Sequence, residues 1–207
     1  MIRALNRDKN SITKAYIFDM DGTLLDTPLP DMGKMMYSTV MNRVYPHQGW
    51  WSRIESLLPE YDIQPIDEVH IEYQRASTDE LGLTVMLTNR MEHLRACIEK
   101  LVGNLGLSFD IASFKEKEDK RNKLVRALDI MREYPNITEV EVWEDMKDHI
   151  MDYSKIWDSM PGVKATIHYV GDDRTGHKRE NWVDISNPEE FREWETATIK
   201  SGTIKTK

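Results

Sequence analysis

The sequence predicts a three-layer α/β fold with a central parallel sheet and a small, mainly helical insertion. Short apolar segments typical of buried strands alternate with segments of helical periodicity, which is the pattern of a parallel sheet with helical crossovers. The segment between the first two clear strands, residues 28–81, is too long for a simple crossover. We therefore expect a core domain of residues 1–27 and 82–207 and a cap insertion of residues 28–81.

The first strand ends in two carboxylates. An apolar run of residues 15–18 is followed by Asp19, Asp21, Gly22 and Thr23. Ligand sites of open α/β sheets lie at the carboxyl ends of their strands. Carboxylates two residues apart would point to opposite faces of a continuing strand, so the chain must turn, and glycine permits the turn. The pattern suits metal-assisted phosphoryl chemistry, with one carboxylate as nucleophile and ligand and the other as proton donor.

The predicted insertion begins with Pro28 and Pro30, which exclude a central strand, and continues with helical spacing over residues 32–44. Trp50 and Trp51 follow, and two adjacent tryptophans cannot both face inward on one regular element. The pattern leaves two interpretations open. Either the pair only packs, or one of them, which we take to be Trp50, is an aromatic platform for the substrate.

Two later strands also end in polar residues. Thr88 ends the second clear strand and is followed by Asn89 and Arg90, and a later strand ends in Glu144-Asp145. The carboxyl ends of parallel strands lie on one edge of a sheet, so we expect these side chains and the first carboxylate pair to form one site. Arg90 either clamps a substrate phosphate or begins a helix.

Three further features of the sequence have a possible structural or functional role. Asn187 followed by a proline and two glutamates predicts the start of a final helix. Asp172-Asp173, in a turn after the last strand, is the weaker candidate for a metal-binding pair. His149 lies one turn of a helix after the Glu144-Asp145 pair, and it is either a neighbour of the site or an ordinary surface or core histidine.

Composition excludes several classes of protein. The chain has 207 residues and a formal net charge of −8, which argues against stable binding of duplex nucleic acid but not against a pocket for one phosphate. Cys97 is the only cysteine, so there is no disulfide framework or thiolate zinc cluster, and we expect a reducing cytoplasm. We expect no membrane association, because no apolar stretch is long enough to cross a bilayer and the N-terminus lacks a signal-peptide core.

The Asp-x-Asp-Gly-Thr motif after an apolar strand resembles the first motif of the haloacid dehalogenase (HAD) superfamily of aspartate-nucleophile phosphatases. Over roughly residues 15–155 the sequence is more specifically similar to the HAD domain of "Swiss Army Knife" RNA-repair proteins. The similarity rests on residues 18–24, Thr27-Pro28-x-Pro30, Gly49-Trp50-Trp51, Leu87-Thr88-x-Arg90, Phe109-Asp110 and Glu144-Asp145-x-x-x-His149. Asn89 and Met146 stand where that family tends to have glycine and arginine.

The resemblance implies a Rossmann-like HAD fold and a role for each motif. Asp19 would form an aspartyl-phosphate, and Asp21 would protonate the leaving oxygen and then activate water. Thr88 would hydrogen-bond the phosphoryl group. The third motif is a lysine; we favour Lys123, which opens the helix before the last acidic pair, over Lys115.

The resemblance also implies a Mg²⁺ site and a substrate class. The ion would be held by Asp19, the backbone carbonyl of Asp21, Asp145, and Glu144 directly or through water, an oxygen set that suits Mg²⁺. The substrate would be a nucleotide or a phosphorylated nucleic-acid end. The residues expected to contact it are Asn89, Arg90, Trp50 and Lys115. A small-metabolite phosphatase, a phosphotransferase and a non-catalytic binding protein are the alternatives.

Overall fold

The structure, a computed structural model, describes residues 8–171 and 178–200 and is built on a six-stranded sheet in the order β3-β2-β1-β4-β5-β6. The strands are β1 Lys14–Phe18, β2 Gly82–Met91, β3 Ile111–Lys115, β4 Glu139–Glu144, β5 Lys164–Tyr169 and β6 Val183–Ile185. The first five are parallel, and β6 pairs with β5 in antiparallel orientation. The predicted parallel sheet is therefore confirmed. The turn at Asp172-Asp173 and the tail after residue 200 lie outside the described residues.

The described α-helices alternate with the strands. They are α1 Pro30–Met41, α2 Asp67–Thr78, α3 Arg95–Asn104, α4 Lys123–Arg132, α5 Lys147–Tyr153, α6 Ile156–Ser159 and α7 Pro188–Lys200. Side-chain caps begin two of them: the Asn122 side chain accepts from the backbone N–H of Val125, and the Asn187 side chain from that of Glu190, at 3.0 and 2.9 Å. Both caps satisfy backbone donors that a helix start leaves unpaired, and the second confirms the predicted final helix.

The sheet separates two hydrophobic cores, so the fold has three layers. Tyr16 and Phe18 of β1 belong to the core that contains apolar residues of α2 and α3, whereas Ala15 and Ile17 belong to the core beneath α4, α5, α6 and α7. Successive strand residues point to opposite faces, and a strand covered on both faces therefore reads as a continuous apolar run. This is why β1 is recognisable in the sequence.

The predicted insertion divides into two parts. Helix α2 packs on the sheet, where Tyr73 contacts the rings of Phe18 and Phe109 at centroid distances of 6.0 and 5.1 Å. Residues 28–66 form α1 and irregular segments, and their apolar side chains join the same core as α2. The cap boundaries at residues 27 and 81 remain a prediction, and the structure adds that the last helix of this segment covers the sheet.

Strand β2 is longer than the sequence pattern indicates. It continues through Thr88 and Arg90 to Met91, with a shift in its register against β3 after Leu87. The interpretation of Arg90 as a helix-start residue is therefore wrong. In the described parts of the chain, no helix combines the length and the hydropathy needed to cross a bilayer.

Candidate active site

The turn after β1 brings the ends of two strands together. The backbone N–H of Asp19 donates to the carbonyl of Trp143 at 3.0 Å, which extends the β1–β4 pairing by one residue. Gly22 then adopts a φ of +69°, and a Cβ at this position would lie 2.6 Å from Oδ2 of Asp145. Glycine is thus required both by the backbone conformation and by the close approach of Asp145. The predicted turn at Gly22 is confirmed.

Lys123 lies between two carboxylates at the floor of the site. Its Nζ is 2.6 Å from Oδ1 of Asp19 and 2.8 Å from Oε2 of Glu144, and only 2% of its side chain is exposed. The position follows from the fold, because Lys123 is the first residue of α4, directly after the Asn122 cap. Lys115 ends β3 and is not among the residues that line the cavity described below. Of the two candidate lysines, the structure brings only Lys123 to Asp19.

Three carboxylates, those of Asp19, Glu144 and Asp145, lie around Lys123, and their pKa values are shifted in different directions. Burial, and next the charge of Glu144, raise the pKa of Asp19, which Lys123 only partly opposes. Burial, with Asp19 and Glu144, raises the pKa of Asp145 further. Although burial also acts to raise it, Lys123 and His149 hold the pKa of Glu144 at about 2. If all three carboxylates were ionised, the cluster would carry more negative charge than Lys123 alone balances, and this repulsion contributes to the raised pKa of Asp19 and of Asp145.

The same carboxylates fit a divalent cation. One oxygen from each of Asp19, Glu144 and Asp145 lies within 4.8 Å of the others. Oxygen donors with excess negative charge are what Mg²⁺ requires. Glu144 is already engaged by Lys123 and by the backbone N–H of Met146, at 2.8 and 3.1 Å. Both oxygens of Glu144 are thus engaged, whereas Lys123 contacts Asp19 at Oδ1, so Asp19 and Asp145 are the stronger candidates for direct ligands.

Asp21 is held by a fork of hydrogen bonds. Nε and Nη2 of Arg90 donate to its Oδ2 and Oδ1 at 2.9 and 2.8 Å, and the Thr27 hydroxyl donates to Oδ1 at 2.8 Å. The Arg90 side chain is fully buried, and the Asp21 side chain is 19% exposed. A bidentate guanidinium fixes the plane of a carboxylate as well as its position. Both oxygens of Asp21 are thereby oriented.

The remaining nitrogen of Arg90 reaches the insertion. Its Nη1 donates to the backbone carbonyl of Trp51 at 2.9 Å and to Oγ of Ser56. Every nitrogen of the guanidinium group therefore has a partner within the protein. These bonds use four of its five N–H donors, so the structure shows Arg90 as a link between Asp21 and the insertion, and its role as a phosphate clamp stays a prediction.

Thr88 and Asn89 lie on β2 beside this network. The Thr88 hydroxyl accepts from the Arg90 backbone N–H at 3.0 Å, which leaves its own proton available to a further acceptor. Nη2 of Arg126 donates to Oδ1 of Asn89 at 2.9 Å, so the Asn89 amide group faces Nε2 of His149 at 3.2 Å. His149 Nδ1 in turn lies 3.0 Å from Oε1 of Glu144. His149 is therefore a neighbour of the site.

These groups surround one cavity of about 570 Å³. Its lining contains Asp19 and Asp21 after β1, Asp145 after β4 and Lys123 at the start of α4. The rest of the lining is Gly22, Thr27, Leu29, Trp51, Asn89, Arg90, Met146 and His149. A larger groove of about 940 Å³ beside Asp26 and His70 contains none of the strand-end carboxylates.

The expectation that Trp50 contacts the substrate is wrong, because the structure places Trp51 in the cavity lining instead. Trp50 is 2% exposed, its Nε1 donates to the Pro28 carbonyl at 2.8 Å, and a Cβ on Gly33 would lie 2.0 Å from its ring. Trp50 therefore anchors the start of α1 and does not line the cavity. Trp51 is the tryptophan that does.

Two contributing residues were not recognised in the sequence: Ser56 and Arg126 hold Arg90 and Asn89, respectively. Thr27 belongs to the Thr27-Pro28-x-Pro30 motif, and the structure adds that its hydroxyl holds Asp21. Ser56 and Arg126 are common polar residues with no spacing to distinguish them. Only their contacts across the fold reveal them, and these contacts join residues up to 37 positions apart.

An acidic pair at the end of the central strand, a buried lysine beside it and a second acidic pair at the next strand end define a hydrolase of the HAD superfamily. Residues 28–171 match the family described as HAD domain family 1 in Swiss Army Knife RNA repair proteins. The chain belongs to this family. The matched range includes Thr88, Lys123 and Glu144-Asp145 and begins after Asp19 and Asp21.

Solved structures give a more distant likeness. The "Structure of Pnkp1/Rnl/Hen1 complex" has a TM-score of 0.45 and 13% identity, covering 80% of this chain and 48% of that one. A haloacid dehalogenase-like hydrolase from Streptococcus pneumoniae has a TM-score of 0.45 and 16% identity, covering 75% of this chain and 83% of that one. The chain spans about half the length of the first of these. No curated protein matches the chain.

Proposed function

We propose that this chain is a Mg²⁺-dependent phosphomonoesterase that acts through an aspartyl-phosphate, with a nucleotide or a phosphorylated nucleic-acid end as its substrate. The observation that carries the proposal is the contact of Lys123 with Asp19, in one cavity with Asp21 and Asp145. A carboxylate at a strand end, paired with a buried cation and facing a cavity, is an arrangement suited to nucleophilic attack on a phosphoryl group.

In the first half-reaction, an oxygen of Asp19 attacks phosphorus, and the bond from phosphorus to the alcohol oxygen breaks. Asp21 supplies the proton that the leaving oxygen takes up. Lys123 stays beside Asp19 and offsets the negative charge of the approaching phosphoryl group. The hydroxyl proton of Thr88 is available to a phosphoryl oxygen, since the Arg90 backbone N–H occupies only an acceptor position of that hydroxyl.

In the second half-reaction, Asp21 takes a proton from water, and the water oxygen attacks phosphorus. The bond between phosphorus and Asp19 breaks, which releases inorganic phosphate and restores the carboxylate. The sum is ester plus water to alcohol plus phosphate. Both steps need Asp21 in one place, which the Arg90 fork and the Thr27 hydroxyl provide.

Asp19, Asp145 and the Asp21 carbonyl are the proposed Mg²⁺ ligands, and Glu144 orients Lys123 or contributes through water. The excess charge of the three carboxylates supports this assignment. When bound, the ion reduces the repulsion between an anionic carboxylate and an anionic phosphate.

The substrate class rests on the family, whose other members are described as RNA repair proteins. We propose that the phosphate ester is the end of a nucleic acid or a nucleotide derived from one. A basic track for a long duplex is not part of this proposal, because the chain carries a formal net charge of −8.

The test is hydrolysis of p-nitrophenyl phosphate with and without Mg²⁺, by wild type and by Asp19→Asn. We expect Asp19→Asn to lose about 10⁴-fold or more in kcat, because the amide is not a nucleophile. Asp148→Asn is the matched control, since Asp148 is exposed on α5 and does not line the cavity. Chelation of the metal is expected to abolish the wild-type rate.

Activity retained by Asp19→Asn would rule out the covalent mechanism, and activity retained in a chelator would rule out the Mg²⁺ assignment. A screen of nucleoside monophosphates, 3′- and 5′-phosphorylated oligonucleotides and sugar phosphates then tests the substrate class. Preference for the sugar phosphates would favour a small-metabolite phosphatase.

A further inference from the structure

The cavity has a chemically distinct mouth. Asp19 and Lys123 are 6% and 3% exposed, whereas Leu29 and Met146 are each 50% exposed, although all four line the same cavity. The reacting groups therefore lie at the floor, and two apolar side chains lie at the entrance. Trp51, which is partly exposed, is the third apolar side chain of the lining. We call Leu29, Trp51 and Met146 the apolar mouth.

The three residues come from separate elements, each fixed by local contacts. Leu29 directly precedes α1, whose start is anchored by the bond from Trp50 to the Pro28 carbonyl. Met146 directly precedes α5, and its backbone N–H donates to Glu144. The mouth is thus held by residues that also build the catalytic floor.

Trp51 is held by two contacts with Arg90. Its backbone carbonyl accepts from Nη1 of Arg90, and the Arg90 guanidinium carbon lies 4.9 Å from the centroid of its ring. A cation beside an indole at this distance stabilises the position of the ring. An aromatic ring that is fixed before the ligand arrives loses little entropy on binding.

The charges of the lining show what the mouth does not bind. Among the described lining residues, the cations that stay charged at neutral pH are Arg90 and Lys123, and each is paired with carboxylates. No free cation at the mouth would receive a second phosphate. Pockets that bind organic ligands have volumes of roughly 300–1,000 Å³. The cavity, at about 570 Å³, lies within this range and is larger than one phosphate needs.

We propose that the apolar mouth binds the base of the phosphorylated nucleoside, stacked on Trp51 and flanked by Leu29 and Met146, while the phosphate lies at the floor. Aromatic stacking accepts any base, because every base has a π-face. This inference rests on the proposed function and adds a specificity subsite to it. The base belongs either to a free nucleotide or to the terminal nucleoside of an oligonucleotide.

The test compares kcat/KM for substrates with and without a base. One pair is adenosine 5′-monophosphate and ribose 5-phosphate, and the other is a phosphorylated oligonucleotide with its terminal base present or absent. We expect wild type to prefer the base-containing member of at least one pair by about tenfold or more. Preference within the first pair alone identifies free nucleotides as the source, and within the second alone identifies nucleic-acid ends.

Variants assign that preference to the mouth. Trp51→Leu is expected to bring the ratio close to one, and Trp51→Phe to keep most of it, because phenylalanine retains a stacking face. Leu29→Ala and Met146→Ala are expected to lower the ratio a few-fold. Ile71→Ala is the matched control, since Ile71 is an equally exposed apolar residue, at 59%, on α2.

Two outcomes overturn the inference and leave the proposed function intact. The first is a wild-type ratio of kcat/KM near one in both substrate pairs. The second is a Trp51→Leu variant in which both members of a pair lose kcat/KM equally. The absence of Asp19-dependent hydrolysis of every substrate, p-nitrophenyl phosphate included, would instead reject the proposed function, and the inference with it.

Discussion

Two buried cations serve the same cavity but are held by different parts of the molecule. Lys123 contacts Asp19 and Glu144, so its partners come from the ends of β1 and β4. Arg90 contacts Asp21 after β1, and it also reaches Ser56 and the backbone of Trp51 in the insertion. One ion pair is contained within the sheet and its helices, and the other joins the sheet to the insertion.

The two ion pairs therefore depend on different parts of the molecule. The position of Asp19, the proposed nucleophile, depends on the α/β core alone, whereas the orientation of Asp21, the proposed acid–base group, depends on the insertion as well. A change in the insertion is therefore expected to alter proton transfer without displacing Asp19. The predictions below separate the two clusters, beginning with the largest effect.

Lys123→Met is expected to lower kcat by about 10²–10³-fold, because it removes the cation beside the attacking carboxylate. It also leaves Asp19 and Glu144 buried without their cation, which is expected to cost about 3–5 kcal/mol of stability. Initial rates and urea unfolding measure the two effects. Lys115→Met is the matched control and is expected to change neither by much. Full activity in Lys123→Met would show that Lys123 has only a structural role.

Arg90→Lys is expected to lower kcat by about 10- to 100-fold, because lysine keeps the charge but lacks the fork that orients Asp21. The Michaelis constant is expected to change little, since the substrate phosphate has no contact with Arg90 in this assignment. Steady-state kinetics separates the two constants. A rise in KM at constant kcat would instead support Arg90 as a phosphate clamp.

Ser56→Ala tests the insertion side of the Arg90 cluster. It removes one hydrogen bond to Nη1 and leaves the bond to the Trp51 carbonyl, so a loss of about 2- to 10-fold in kcat is expected. Ser77→Ala, a partly exposed serine near the end of α2, is the control. If Ser56→Ala leaves kcat unaltered, the insertion does not contribute to the orientation of Asp21.

A third buried network, around His168 on β5, lies outside the cavity and sharpens the comparison. Its Nδ1 is 2.8 Å from Asp184 of β6, and its Nε2 is 3.3 Å from Glu141 of β4. Arg75 of α2 pairs with the same Glu141, and Arg179 with the same Asp184. We expect this network to stabilise the sheet without affecting catalysis.

The pH dependence of stability follows from the directions of the pKa shifts. Burial acts to lower the pKa of His168, but the two carboxylates raise it overall. The stabilisation that protonated His168 gives to the fold is therefore complete below about pH 6.5 and is lost as the pH rises through its folded-state pKa. His168 lowers the pKa of Asp184 to about 2, so that contribution is present above about pH 3.9 and is lost as the pH falls.

His168→Gln is therefore expected to destabilise the protein most between about pH 4 and 6.5, by about 1.5–3 kcal/mol. The difference from wild type is expected to shrink by pH 8.5. Urea unfolding at several pH values measures it, and kcat is expected to stay within about twofold of wild type. A difference that is constant with pH would mean that the loss of packing against Trp143 accounts for the whole effect.

Much of the fold is readable because its strands are covered on both faces. The run ending at Phe18 and the alternation of strands with helices predicted a parallel sheet, and Asn187 predicted the start of α7. Helix α2 was not recognised, because its charged and apolar residues are mixed and Pro59 and Pro65 precede it closely. Strand β6, three residues long, carries too short a pattern to detect.

The site was readable wherever its residues follow a strand. Asp19, Asp21 and Asp145 lie where the sequence places them, and Lys123 lies where the helix start predicts. Trp50 was misjudged, because its burial decides its role, and the helix-start interpretation of Arg90 was wrong, because β2 continues past it. An arginine looks the same in sequence whether its partner is a substrate phosphate or Asp21.

The sequence by itself determined the alternation of the parallel strands with helices and the polar groups at the strand ends, because these depend on neighbours within a few positions. The tertiary structure alone decided which cation serves which carboxylate, and which tryptophan lines the cavity. Those assignments depend on contacts between residues far apart in the chain, such as Arg90 with Asp21, 69 positions away. No local pattern records such contacts, since only the packing of the insertion against the sheet creates them.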